Sequence, residues 1–128
     1  MRKARVYEAL ANLLVAIKNC EKSGNDEWLV RHRENLDKIV KNYLPSGGGF
    51  DAGVTLDDES NENRLVLNAN FHHMNDAGYY DGWTDHKVIV TPNLASRFDL
   101  RVTGRNRNDI KDYISETFSF WLDKEVEY

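Results

Sequence analysis

The spacing of apolar residues switches between two periods along this chain, and that switch limits the folds open to it. Before Ser46-Gly47-Gly48-Gly49 the apolar side chains recur three and four apart; from there to Gly104 they recur at every second position, and beyond it three and four apart again. The first spacing keeps side chains on one face of a helix, the second on one face of a strand. A chain that carries both must lay helices against a sheet.

Val6, Leu10, Leu13, Leu14 and Ile17 predict an amphipathic helix over 3–22. Gly24 ends it, and Asn25 or Asp26 caps a second helix striped by Trp28, His32, Leu36, Ile39, Val40 and Tyr43. Leu44-Pro45 stops that helix, because proline disfavours helix at the residue before it. The short connection implies an antiparallel helical hairpin over 1–44, with stripes narrow enough to need a covering layer.

Beyond the glycines, 50–56 reads as a weak strand and 57–63 as an acidic turn. Leu65, Leu67, Ala69 and Phe71 alternate with Val66, Asn68, Asn70 and His72 in a second, half-buried strand. His86, Val88 and Val90 mark a third strand, Phe98, Leu100 and Val102 a fourth. Gly104 closes the sheet, and Asn106 is expected to cap a last helix over 106–124. Ile110, Ile114, Thr117, Phe118 and Trp121 face one way on it, with Tyr113 and Phe120 to one side and Leu122 to the other. So wide an arc should touch both the sheet and the hairpin, or a second copy of the chain. The expected fold is therefore one α+β domain over 1–128. It has two layers, a four-stranded antiparallel meander over 50–103 and the order ααββββα.

Composition narrows the setting. The 128 residues carry a net charge of −4, which argues against a protein whose main task is to coat nucleic acid. The single cysteine, Cys20, leaves no intramolecular disulfide and no cysteine-based zinc cage, and falls where a packed thiol is the default. The basic start is followed by an apolar stretch broken by Glu8, Asn12, Lys18 and Asn19, unlike a signal peptide, and no apolar run is long enough to span a bilayer. A cytoplasmic chain that does not enter membranes is the expectation.

Three groups of residues invite chemistry. The stretch 72–86 is expected to be a long loop between the second and third strands. It holds Tyr79, Tyr80 and Trp83, whose large, stiff side chains suit recognition of a partner. Its plain alternative is a structured connection, with Gly78 and Gly82 in turns. The same stretch offers His72, Asp76, Asp81, Asp85 and His86 as a mixed nitrogen and oxygen shell for a metal, although the spacing matches no known ligand motif. Arg101, Arg105 and Arg107, with Arg97 nearby, lie at the last strand and the start of the final helix, where an anion could bind. The simpler reading is that they neutralise neighbouring acids such as Asp99, Asp109 and Asp112. The triple glycine is no phosphate loop, since it runs from helix into strand and lacks the lysine.

The run Tyr80-Asp81-Gly82-Trp83-Thr84-Asp85-His86, followed by Phe98-Asp99-Leu100-Arg101-Val102-Thr103-Gly104-Arg105-Asn106-Arg107-Asn108-Asp109-Ile110-Lys111, resembles small accessory proteins carried by bacteriophages and plasmids. The likeness covers 44–118 and implies a mobile-element protein that binds and blocks a host defence protein, without bringing catalytic residues.

The expected function is thus a non-enzymatic protein-binding accessory protein, an inhibitor gripping a host protein through Tyr79, Tyr80, Trp83 and Phe120. No cofactor is expected. Self-association through the last helix or the open sheet face is allowed for. The alternatives are a small metal-dependent hydrolase or nuclease built on the histidines and aspartates, and a nucleic-acid or nucleotide binder built on the arginines.

Overall fold

The structure is a computed structural model that describes residues 2–51, 53–74, 76–93, 97–105 and 107–128. Its order is β1 (Lys3–Arg5), α1 (Val6–Ser23), α2 (Asp26–Tyr43), β2 (Val54–Leu56), β3 (Leu65–Met74), β4 (Tyr80–Pro92), β5 (Phe98–Val102), α3 (Asn108–Leu122) and β6 (Glu125–Glu127). The main sheet has the antiparallel order β2-β3-β4-β5, and α1, α2 and α3 pack on one side of it. The α+β meander read from the spacing is the observed fold.

Local signals place the helix boundaries well. Gly24 adopts φ 70° at the end of α1, a left-handed turn that costs glycine little. The Asn25 side chain then accepts the Trp28 N–H at 3.4 Å and caps α2. Leu44 is extended ahead of Pro45, so α2 stops where expected. On α3 the cap position belongs to Arg107, whose side chain makes no capping bond; Asn106, the expected cap, lies outside the described residues.

The core joins Val6, Leu10 and Leu13 of α1 and Ile39 of α2 to Leu65, Leu67, Ala69, Val88 and Val90 of the sheet and Ile114, Phe118 and Leu122 of α3. Phe50, just past the triple glycine, sits among Phe71 at 5.2 Å and Phe118 at 5.7 Å between ring centroids. Buried aromatic and aliphatic side chains of this size stabilise by roughly 1.5–3 kcal/mol each. The stripe of α2 is buried less than its spacing suggests: Trp28 stays 49% exposed and only Ile39 is fully enclosed. Buried positions in the hairpin lie in the half far from its turn, so the turn end has no layer above it.

The two ends of the chain depart from expectation. Residues 3–5 are not helical; they pair antiparallel with β6, matching Lys3 to Glu127, Ala4 to Val126 and Arg5 to Glu125. Arg2 and Tyr128 exchange both main-chain hydrogen bonds, at 2.9 and 3.0 Å. Opposite charges flank the ribbon, with Lys3 3.6 Å from Glu127 and Arg5 3.2 Å from Asp123. A strand of three residues carries too little alternation to compete with the adjoining helical stripe, which is why the pairing was not legible locally.

Candidate interaction site

Cross-strand pairing, not a loop, occupies most of 72–86. β3 and β4 pair from Leu65↔Val90 through His72↔Trp83 to Met74↔Tyr80, with a bulge before the last pair, so only 75–79 connects them. The expected long loop is corrected to the outer half of a β-hairpin. Its strands were hidden because residues 80–85 carry polar or exposed side chains on both faces, which erases the half-buried pattern by which strands are recognised.

Alternation along the ladder sorts the side chains. Leu65, Leu67, Ala69 and Phe71 face the helices together with their partners Val90, Val88, His86 and Thr84. Asn68, Asn70 and His72 face the open side with Lys87, Asp85 and Trp83. Beyond the body of the domain the end of the hairpin carries exposed apolar and aromatic side chains. Met74 is 75% exposed, Tyr79 73%, Tyr80 57% and Trp83 59%, and the His72 and Tyr80 rings lie 5.7 Å apart. Beside this patch a cleft of about 490 Å³ opens between the glycine segment, the hairpin and the start of α3, walled by Phe71, Met74, Tyr80 and Ile110.

The main chain of β4 is also open there. Thr103 donates its N–H to the Lys87 carbonyl at 2.9 Å, so Lys87 turns its peptide groups towards β5. Strand alternation turns those of Asp85 and Trp83 the same way, beyond the end of β5. Among the described residues no main-chain partner meets them on that side. Gly104, at φ 102°, passes close to the Asp85 carbonyl.

The metal candidates do not converge. His86 is 2% exposed on the helix side, whereas its proposed companion His72 lies on the open side. Both ring nitrogens of His86 are engaged: Nδ1 lies 2.7 Å from the Thr103 carbonyl and Nε2 2.7 Å from Thr84 Oγ1, which lies 2.9 Å from His73 Nε2. A carbonyl only accepts, so His86 Nδ1 carries the proton of that bond. Asp85 Oδ1 accepts from Asn70 at 2.7 Å, and Asp76 and Asp81 are exposed near the tip. Among the described residues no three histidine, cysteine, aspartate or glutamate side chains come together as a metal shell.

The arginines are likewise divided. Arg101 faces the open side with Arg64, Ile89 and Asp99 around a shallow depression of about 280 Å³. Arg107 begins α3 near Phe71 and Ile110, and its Nε lies 3.4 Å from Asp109. Arg105 is exposed in the connection between β5 and α3. Phe120, on the arc expected to pack, is instead 64% exposed, under the Lys124 ammonium at 4.7 Å. It stands ten residues past Ile110, about 15 Å along the helix, and so forms a patch separate from the hairpin tip. Met74, absent from the sequence-based candidates, joins the tip only because β3 runs on through His72.

No helix among the described residues is long and apolar enough to cross a membrane. Comparison with known proteins returns no match: no family model, no curated protein and no solved structure is significantly similar to the chain.

Proposed function

We propose that this is a protein-binding protein, without catalytic activity of its own, that docks its partner on the outer end of the β3–β4 hairpin. One observation carries the reading: Met74, Tyr79, Tyr80 and Trp83 are more than half exposed at the end of a hydrogen-bonded hairpin. Exposed aromatic clusters are costly in a free monomer and are enriched where partners bind. The paired backbone holds much of the patch in place before contact, which lowers the entropy lost on binding. The cleft beside Tyr80 offers a recess for a partner's side chain, and the open edge at Trp83 offers hydrogen bonds to an extended segment. A bacteriophage or plasmid origin, the expectation drawn from 80–86 and 98–111, would make a host protein the target and inhibition the outcome.

The test is affinity capture of a partner from host lysate with the intact chain, followed by titration of that partner against Trp83→Ala and Tyr80→Ala. Each variant should weaken binding by roughly tenfold or more, equivalent to about 1.4 kcal/mol, while circular dichroism and melting stay unchanged. Undiminished binding by both variants would show that the hairpin end is not the docking surface.

A further inference from the structure

We propose a second docking site, on the helical hairpin, that accepts a short basic amphipathic helix from a partner protein. The site is a groove of about 520 Å³ between α1, α2 and the β2–β3 connection. Its floor is Leu14 and Ile17 of α1, Leu36 and Val40 of α2 and Leu56 of β2. These apolar side chains are all only half-buried, while their neighbours Leu10, Leu13 and Ile39 are fully enclosed. The sheet layer therefore covers one part of the hairpin's apolar stripes and leaves the flank that carries Leu14, Ile17, Leu36 and Val40 only partly covered. The volume is within the range of sites that hold a ligand or an anchoring group.

The shape selects a helix. The lining runs over 14–21 on α1 and 33–40 on α2, about two turns of each, or roughly 10 Å along their axes. Two antiparallel helices present a trough into which the ridge of a third can pack, and apolar side chains three and four apart would reach the floor.

The rim selects the charge. Arg33 pairs with Glu21 at 3.0 Å, and Asp57 is held by Asn68 at 3.1 Å and Lys87 at 3.7 Å, so these groups are satisfied within the chain. Asp37, Asp58 and Glu62 also line the rim, and among the described residues none of them forms an ion pair. Lys18 is the one rim cation not matched by an ion pair there, so the groove's surplus is negative. A partner helix with leucine-like residues on one face and lysine or arginine along its flanks satisfies floor and rim together; an acidic helix would meet three like charges. The site lies apart from the hairpin tip and does not depend on it.

The probe is a synthetic leucine and lysine peptide with leucines three and four apart, titrated into the intact protein by calorimetry. Its controls are a scrambled peptide of the same composition and a leucine and glutamate counterpart. Binding should favour the patterned basic peptide over both controls by about tenfold or more. It should also weaken by about tenfold in an Asp37→Asn, Asp58→Asn, Glu62→Gln variant that melts like the parent. Amide shifts on peptide addition should map to 14–21, 33–40 and 56–62. Three results overturn the site: no binding at about millimolar peptide, equal binding of the scrambled peptide, or shifts confined to the hairpin tip.

Discussion

The inner and outer halves of the β3–β4 hairpin share one ladder and use it for opposite ends. In the inner half, Leu65, Leu67, Val88 and Val90 are fully enclosed under the helices. In the outer half, Met74, Tyr80 and Trp83 stand in solvent on strands paired by the same backbone bonds. Main-chain pairing therefore fixes shape in both halves, but only the inner half converts side chains into stability. The outer half leaves its apolar area available, which is where a binding surface can be altered without unfolding the domain.

That contrast is most exposed to failure at the core. Leu67→Ala should lower unfolding free energy by roughly 2–5 kcal/mol in urea titrations, through lost transfer energy and a residual cavity. A loss under about 1 kcal/mol would mean the inner half is not the stable one. Gly104→Ala comes next, where the inner and outer halves meet. A Cβ there would lie 2.5 Å from the Asp85 carbonyl oxygen and 2.7 Å from His86 Nδ1, at φ 102°. We expect a cost of about 1–3 kcal/mol, with the His86 to Thr103 bond weakened, read from melting and from the His86 ring resonances.

A smaller effect is expected on the open face. The Glu59 main-chain N–H first, then the Asn68 amide and the Lys87 ammonium, hold the Asp57 carboxyl below its ordinary value of 3.8. A lowered pKa in the folded state means that ionised Asp57 favours folding above its ordinary pKa. The benefit is lost as pH falls through the lower, folded value. The urea midpoint of Asp57→Asn should therefore lie below that of the parent at neutral pH, and the gap should close in acid. A gap that persists in strong acid would place the effect elsewhere. The smallest change should come from Trp83→Ala and Tyr80→Ala, within about 0.5 kcal/mol of the parent in stability. If either unfolds the protein, the outer half belongs to the scaffold and the contrast collapses.

Much of the fold was legible because its signals are local. The stripe from Val6 to Ile17, the Gly24 and Asn25 stop and start, Pro45, and the alternation from Leu65 to Phe71 each need only a few neighbours to be read. The outer hairpin was not legible as strand: Tyr80, Asp81, Trp83 and Asp85 are all exposed, so no inside and outside pattern exists there to detect. The aromatic residues of the tip were identifiable by type, whereas Met74 needed the continued ladder to join them. The histidine and aspartate set shows the opposite case. Its composition suggested a shell, yet His72 pairs with Trp83 and His86 with Ala69, three positions apart on the ladder and on opposite faces, and only register could show it. The apolar groove left no sequence signal of its own, because Leu14, Ile17, Leu36 and Val40 read as ordinary core positions.

Sequence alone determined the three helices and the inner part of the four-stranded sheet, their order, and the antiparallel path, because turn chemistry and side-chain period act over a handful of residues. Tertiary structure decided which apolar side chains were covered, how the two chain ends pair as Lys3–Arg5 with Glu125–Glu127, and that His86 turns inward while Trp83 turns out. Those outcomes depend on register and on how far one layer reaches over another. Both are set by contacts between residues distant in the chain, where local spacing carries no information.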